Sequence, residues 1–171
     1  MNKAKIYVLM GVSGCGKSAL ATQLAHELNA ALLDGDFLHP RANIAKMASG
    51  QPLNDDDRAP WLAALNDAAF AMQRTNPVSL IVCSALKKAY RDRLRAGNPN
   101  LEFLFLDGEY ELIAERIRQR QGHFQKAGML DSQFATLERP AADETDVHYI
   151  DIAPALAEVV GSAKAIILTQ E

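Results

Sequence analysis

Eight consecutive residues, Gly11-Val12-Ser13-Gly14-Cys15-Gly16-Lys17-Ser18, satisfy the pattern G-x-x-x-x-G-K-[ST] at every fixed position. The apolar run Ile6-Tyr7-Val8-Leu9-Met10 precedes them, and Leu20, Leu24 and Leu28 follow at four-residue spacing. That context predicts strand, loop and helix in that order. Glycines let such a loop curl until its N–H groups converge as an anion nest at a helix N-terminus. Lys17 then brings a mobile positive charge to the β and γ phosphates, and the Ser18 hydroxyl is the expected Mg²⁺ ligand. Gly11 to Ser18 are therefore expected to hold a nucleoside triphosphate.

Downstream, apolar runs and helical patterns alternate. Ala31-Leu32-Leu33 reads as a second strand running into Asp34-Gly35-Asp36, with Asn29 as the cap of the helix before it. A helix is expected from after Asp36 to about Met47 with Pro40 near its first turn, and Ser49-Gly50-Gln51-Pro52 breaks the chain. The acidic run Asp55-Asp56-Asp57 suits the N-terminus of a helix carrying Trp61, Leu62, Leu65, Ala69 and Met72. Val78 to Cys83 is a third strand, and Ser84 is expected to open a helix with Leu86, Tyr90 and Leu94 on one face. A fourth strand spans Leu101 to Leu106, and a helix Tyr110 to Arg120. From Gln121 to about Thr136 the pattern weakens, which suggests a mobile lid. Val147 to Ile150 is a fifth strand, and the chain ends in a helix from about Pro154 unless Ala165 to Leu168 form a strand.

Continuous apolar strands alternating with helices point to an α/β fold, a five-stranded parallel sheet covered on both faces. The 171 residues suit one domain, 1–171, with no repeat or linker. No apolar stretch reaches the ~20 residues of a membrane span, and the start runs straight into a strand, so a cytoplasmic location without a membrane partner is expected. Cys15 and Cys83 are too few for a disulfide framework, and a net charge of −3 gives no support for a nucleic-acid partner.

In parallel sheets ligands bind beyond the carboxyl ends of the strands. The phosphate loop, Asp34/Asp36 and Ser84 all fall there. Asp34 is placed to hold a Mg²⁺-bound water and Asp36 to accept a hydroxyl proton from an acceptor, against the alternative of a simple turn. Asp107, ending the fourth strand, competes as the metal-holding acid, although a helix N-cap explains it better. The third strand ends without an acid. Arg116 and Arg120 share one helix face; one is expected at an adenine ring and the other at the transferred phosphoryl group, while Arg118 points elsewhere. Arg58 is an anchor for a carboxylate unless it pairs with Asp55 or Asp57, and His39, Lys46 and Lys87 also fall near strand-end loops. Cys15 is a small loop residue whose thiol pKa is expected to fall. His26 reads as a surface residue.

Taken together, the loop, Asp34-Gly35-Asp36-Phe37-Leu38-His39-Pro40, Gly50-Gln51-Pro52-Leu53, Asp55-Asp56-Asp57-Arg58, Pro60-Trp61-Leu62, Cys83-Ser84-Ala85-Leu86-Lys87, Tyr90-Arg91-Asp92, Gly122-His123-Phe124 and Ser132-Gln133-Phe134 resemble the gluconokinases of the small, phosphate-loop type. The resemblance covers nearly the whole chain. It implies a nucleoside-monophosphate-kinase-like, three-layer α/β/α fold, a lid at about 121–136, ATP and Mg²⁺ as cofactors, and usually a homodimer. The implied reaction is phosphorylation of D-gluconate at its 6-hydroxyl. Asp36 becomes the general base or substrate orienter, and Arg58, with His39 and Lys87, the group that recognises gluconate. Shikimate kinases share the Asp-x-Asp and an arginine soon after it, and also carry an arginine in the lid. Here the lid offers only Lys126, so Arg120 at its edge, or Lys126, must serve in catalysis beside Lys17.

Two other readings compete. One keeps the fold and changes the acceptor to shikimate, a nucleoside or a nucleotide. The other is a nucleotide switch without a small acceptor, which the lack of an N-K-x-D motif opposes.

Overall fold

The computed structural model describes residues 3–120 and 127–169. Five parallel strands, β1 (Lys5–Met10), β2 (Ala31–Asp34), β3 (Val78–Val82), β4 (Leu101–Asp107) and β5 (Val147–Asp151), form one sheet in the order β2-β3-β1-β4-β5. Seven helices are described: α1 (Lys17–Leu28), α2 (Arg41–Ala48), α3 (Asp55–Thr75), α4 (Lys88–Arg95), α5 (Tyr110–Gln119), α6 (Ala127–Thr136) and α7 (Leu156–Thr169).

The apolar strands divide their side chains between two cores, because successive residues point to opposite faces. Tyr7 and Leu9 pack with Leu20 and Leu24 of α1, Ile113 of α5 and Val160 and Ala163 of α7. Ile6, Val8 and Met10 pack on the other face with Trp61, Leu62 and Leu65 of α3 and Tyr90 and Leu94 of α4. The result is the expected three-layer α/β/α arrangement.

Local differences from the sequence reading have physical causes. The helix expected from Ser84 starts only at Lys88, since Ala85 adopts φ +47, a left-handed conformation that cannot continue a helix. A short 3₁₀ turn, Gly35–Leu38, comes before α2, which leaves Pro40 at the N-cap. The C-terminal segment is helical throughout, with Val159, Val160, Ala163 and Ile167 buried. Of the expected lid, 121–126, including Lys126, lie outside the described residues. Residues Ala127–Thr136 are not irregular but form α6, because Leu130 is buried in the core and Phe134 packs against it, 5.4 Å from Tyr110 between ring centroids.

Candidate active site

The phosphate loop joins β1 to α1. Gly14 (φ +83) and Gly16 (φ +101) take left-handed conformations, and a Cβ on Gly14 would lie 2.7 Å from Ile117 of α5. Glycine is thus required there both for backbone and for space. Lys17 Nζ donates to the carbonyl oxygens of Gly11 (2.8 Å) and Val12 (3.0 Å), folding the ammonium back over the loop. The Ser13 N–H donates to Oε1 of Gln133, so α6 reaches the loop directly. Cys15 departs from expectation: burial pushes its thiol pKa up, outweighing the nearby Lys17.

Gly14, Gly16, Arg116, Arg120, Pro154 and Leu156 line a cavity of about 250 Å³ beside this loop. Both arginines therefore face the same space. Arg116 also donates to the carbonyl oxygen of Ala153 at 3.1 Å. None of Asp36, Arg58 or Lys87 lines that cavity.

The Asp34-Gly35-Asp36 turn ends β2. Asp34 Oδ1 accepts the Asp36 N–H at 3.0 Å, and a Cβ on Gly35 would lie 2.6 Å from the Val82 carbonyl oxygen. Only glycine lets the turn lie this close to β3. Trp61 Nε1 donates to the Gly35 oxygen at 2.8 Å and its ring stacks on His39, centroids 4.2 Å apart. Burial raises the Asp36 pKa, and the Asp34 charge raises it further, against His39 and Lys17. Burial lowers that of His39, favouring the neutral ring, and both Asp36 and Arg58 act on it. Lys17, Asp36, His39 and Arg58 thus form one linked electrostatic group.

Arg58 pairs with neither Asp55 nor Asp57. Its Nη1 donates to the Leu53 oxygen (2.8 Å) and to Oη of Tyr90 (3.2 Å), with the guanidinium 5.6 Å from the centre of the Tyr90 ring. Tyr90 donates in turn to Asp55 Oδ1, which lies 3.4 Å from Lys87 Nζ. Asp57 instead closes a capping box with Asn54 and binds Lys46 at 2.6 Å. The acidic run does occupy the first turn of a helix, as expected, with Asn54 as the cap, but Asp55 also holds Lys87 and, through Tyr90, Arg58. Tyr90 was absent from the expected site because its spacing with Leu86 and Leu94 reads as core; the residue is buried there, while its hydroxyl bonds both Arg58 and Asp55.

Asp107 is not an N-cap. Glu109 takes that position in α5, and Arg139 grips the Asp107 carboxylate at 3.0 and 2.8 Å. Sequence spacing hid this pair, whose members are 32 residues apart.

With this geometry in view, the comparisons with known proteins are decisive. A family profile described as an AAA domain matches residues 6–140. The thermoresistant gluconokinase of Escherichia coli (strain K12) is 67% identical over 162 residues, covering 95% of this chain and 93% of the relative. The chain belongs to the gluconokinase family. The thermosensitive gluconokinase of the same organism is 49% identical, with 95% of this chain and 87% of the relative covered. A crystal structure of a gluconokinase from Sinorhizobium meliloti 1021 superposes with a TM-score of 0.84 at 42% identity, covering 96% of this chain and 91% of that one. This chain is a phosphate-loop kinase, and no described helix is long and apolar enough to cross a membrane.

Proposed function

We propose that this kinase transfers the γ-phosphoryl group of ATP to the 6-hydroxyl of D-gluconate. The observation that carries the reading is that the end of β3 joins the two parts of the site, Ser84 accepting from Gly11 of the phosphate loop and the Asp34–Asp36 turn lying against Val82, in a member of the gluconokinase family. Arg116 and Arg120 border the cavity where the adenosine end of ATP would lie, which supports adenine stacking for one of them. Arg120, or Lys126 outside the described residues, would reach the transferred phosphoryl group. The left-handed glycines and Lys17 suit a polyphosphate. The Ser18 hydroxyl and Asp34 suit a Mg²⁺ that arrives on phosphate oxygens and keeps several waters; bound there, it would neutralise developing phosphate charge.

Asp36 accepts the proton of the 6-hydroxyl as that oxygen bonds to the γ-phosphorus and the bond to the β–γ bridging oxygen breaks, leaving ADP and 6-phosphogluconate. A carboxyl whose pKa is raised by burial is better matched to this proton transfer than an ordinary one. Arg58 offers its guanidinium to the gluconate carboxylate, and Lys87 and His39 border the hydroxyls. Competing water would be excluded on the side of α6, whose Gln133 meets the phosphate loop.

The reading extends to a single domain over 1–171 and to a cytoplasmic homodimer. Buried free thiols at Cys15 and Cys83 suit a reducing compartment. The edge strand β2 with exposed Leu32, and exposed Phe37, Ile44 and Met47 beyond it, suit a subunit contact; light scattering of the purified chain tests it. The function itself is tested by coupled ADP release across a panel of sugar acids, shikimate and nucleosides. Activity on gluconate above all others is expected, and activity on shikimate or a nucleoside with none on gluconate overturns the reading.

A further inference from the structure

Among the described residues Arg91 is the largest side chain wholly withdrawn from solvent, and the proposed reaction makes no use of it. Its Nε and Nη2 grip the two carboxylate oxygens of Glu144 at 2.7 and 2.9 Å. Nη1 donates to the Ala85 carbonyl oxygen and Nη2 also to that of Glu138, each at 2.9 Å. A buried ion pair is poor evidence of a stabilising device, because well-packed apolar groups of similar volume often serve stability as well or better. Its geometry here has a narrower object.

The two carbonyls belong to segments that hydrogen-bond to one another, the first of them also to the phosphate loop. Ala85 lies in the irregular turn between β3 and α4, with its left-handed φ of +47. On one side of that turn the Ser84 oxygen accepts the N–H of Gly11 in the phosphate loop at 3.1 Å. On the other, the Glu138 N–H donates to the Leu86 oxygen at 2.8 Å, and the Lys88 N–H to Glu138 Oε1 at 3.0 Å. Lys87 in the turn and Tyr90 just beyond it hold Asp55, and Tyr90 accepts from Arg58.

We propose that Arg91 is a positioning residue that locks the 84–88 turn to the chain leaving α6 and so sets Lys87, Tyr90 and Arg58 for the acceptor. The role in acceptor binding rests on the functional reading above; the lock itself does not. Arginine suits it because one planar fork serves a carboxylate and two carbonyls at once, which the three donors of a lysine ammonium cannot copy. Arg95 provides an internal control. It binds Glu144, Asp146 and Asp92 in the same network but touches neither carbonyl.

The test compares Arg91→Lys with Arg95→Ala in the full chain. Amide hydrogen exchange, measured without substrate, is expected to speed up at Lys88 and Glu138 in Arg91→Lys and to stay at the wild-type rate in Arg95→Ala. In steady-state kinetics Arg91→Lys is expected to raise the gluconate KM about tenfold while the ATP KM stays within about twofold, because misplacing a binding group costs the ligand it faces. If Arg91→Lys does not fold by circular dichroism, Glu144→Gln, which keeps the acceptor oxygen and drops the charge, is expected to give the same pattern with smaller shifts. Unchanged exchange at the two amides, equal responses in the Arg91 and Arg95 variants, or both KM values rising together would reduce Arg91 to a core ion pair. A wild-type chain inactive on gluconate defeats the functional reading alone; the exchange comparison still decides the lock, and whichever acceptor is turned over supplies the KM split.

Discussion

The nucleotide end and the acceptor end of this cleft are built differently. Gly11 to Ser18 are contiguous and shaped largely by backbone, with Gly14 and Gly16 in conformations that other residues adopt at a cost. The acceptor end is built from side chains brought together across the chain: Asp36 after β2, Arg58 on α3, Lys87 and Tyr90 before and on α4. Tyr90 and Asp55 are 35 residues apart in sequence, and Arg91 and Glu144 are 53 apart. A generic phosphate cradle can therefore be shared by many kinases while the acceptor changes, because specificity is held by side chains on separate elements.

The sharpest break between the two ends is expected from Asp36→Asn. Turnover should fall by about 10²–10⁴-fold with ATP-analogue affinity nearly unchanged, since only proton acceptance and acceptor alignment are lost. Near-normal turnover in a rapid-quench assay would remove Asp36 from the chemistry. Next comes Arg58→Ala, which is expected to cost about 2–4 kcal/mol and to appear mainly in the gluconate KM. An equal rise in the ATP KM would mean that the two ends are not separable there.

A smaller effect concerns the frame behind the acceptor end. Hydrogen bonds from Arg91, then Arg95, hold the Glu144 pKa at about 2 despite burial. The folded value lies below the ordinary glutamate value of about 4.3, so this stabilisation is complete above that pH and lost as pH falls toward 2. Denaturant titrations should show a loss of roughly 2–3 kcal/mol across that window, and a flatter profile in Glu144→Gln. An identical acid profile in the variant would detach Glu144 from acid stability. The smallest expected shift is in the pH profile of Asp34→Asn, read from the position of the limb and separately from the turnover lost with a Mg²⁺-holding group. Removing the Asp34 charge takes away one cause of the raised Asp36 pKa, so the acid limb of the kcat/KM profile should move to lower pH. A limb that moves upward would contradict the coupling of the two carboxyls.

Much of this was legible along the chain because it depends on short-range rules. Strand periodicity, the Asn29 cap at φ 52, the acidic first turn of α3 and the loop itself involve residues within a few positions of one another. What stayed hidden involves long-range partners. Asp107 looked like a helix cap until Arg139 reached it, and Arg58 had two acidic neighbours in sequence yet bonds Tyr90. α6 was readable in principle from Leu130, Phe134 and Leu137, but its interrupted polar surroundings weakened the periodicity.

The residues alone therefore determined that this chain makes a covered parallel sheet with a phosphate cradle at its first turn, because backbone conformation and apolar spacing are local properties. Tertiary structure decided which carboxylate keeps a raised pKa, which arginine is tied to Tyr90 rather than to its neighbours, and where Arg91 directs its donors. Those outcomes depend on burial and on hydrogen bonds between groups that only the packed fold brings within reach.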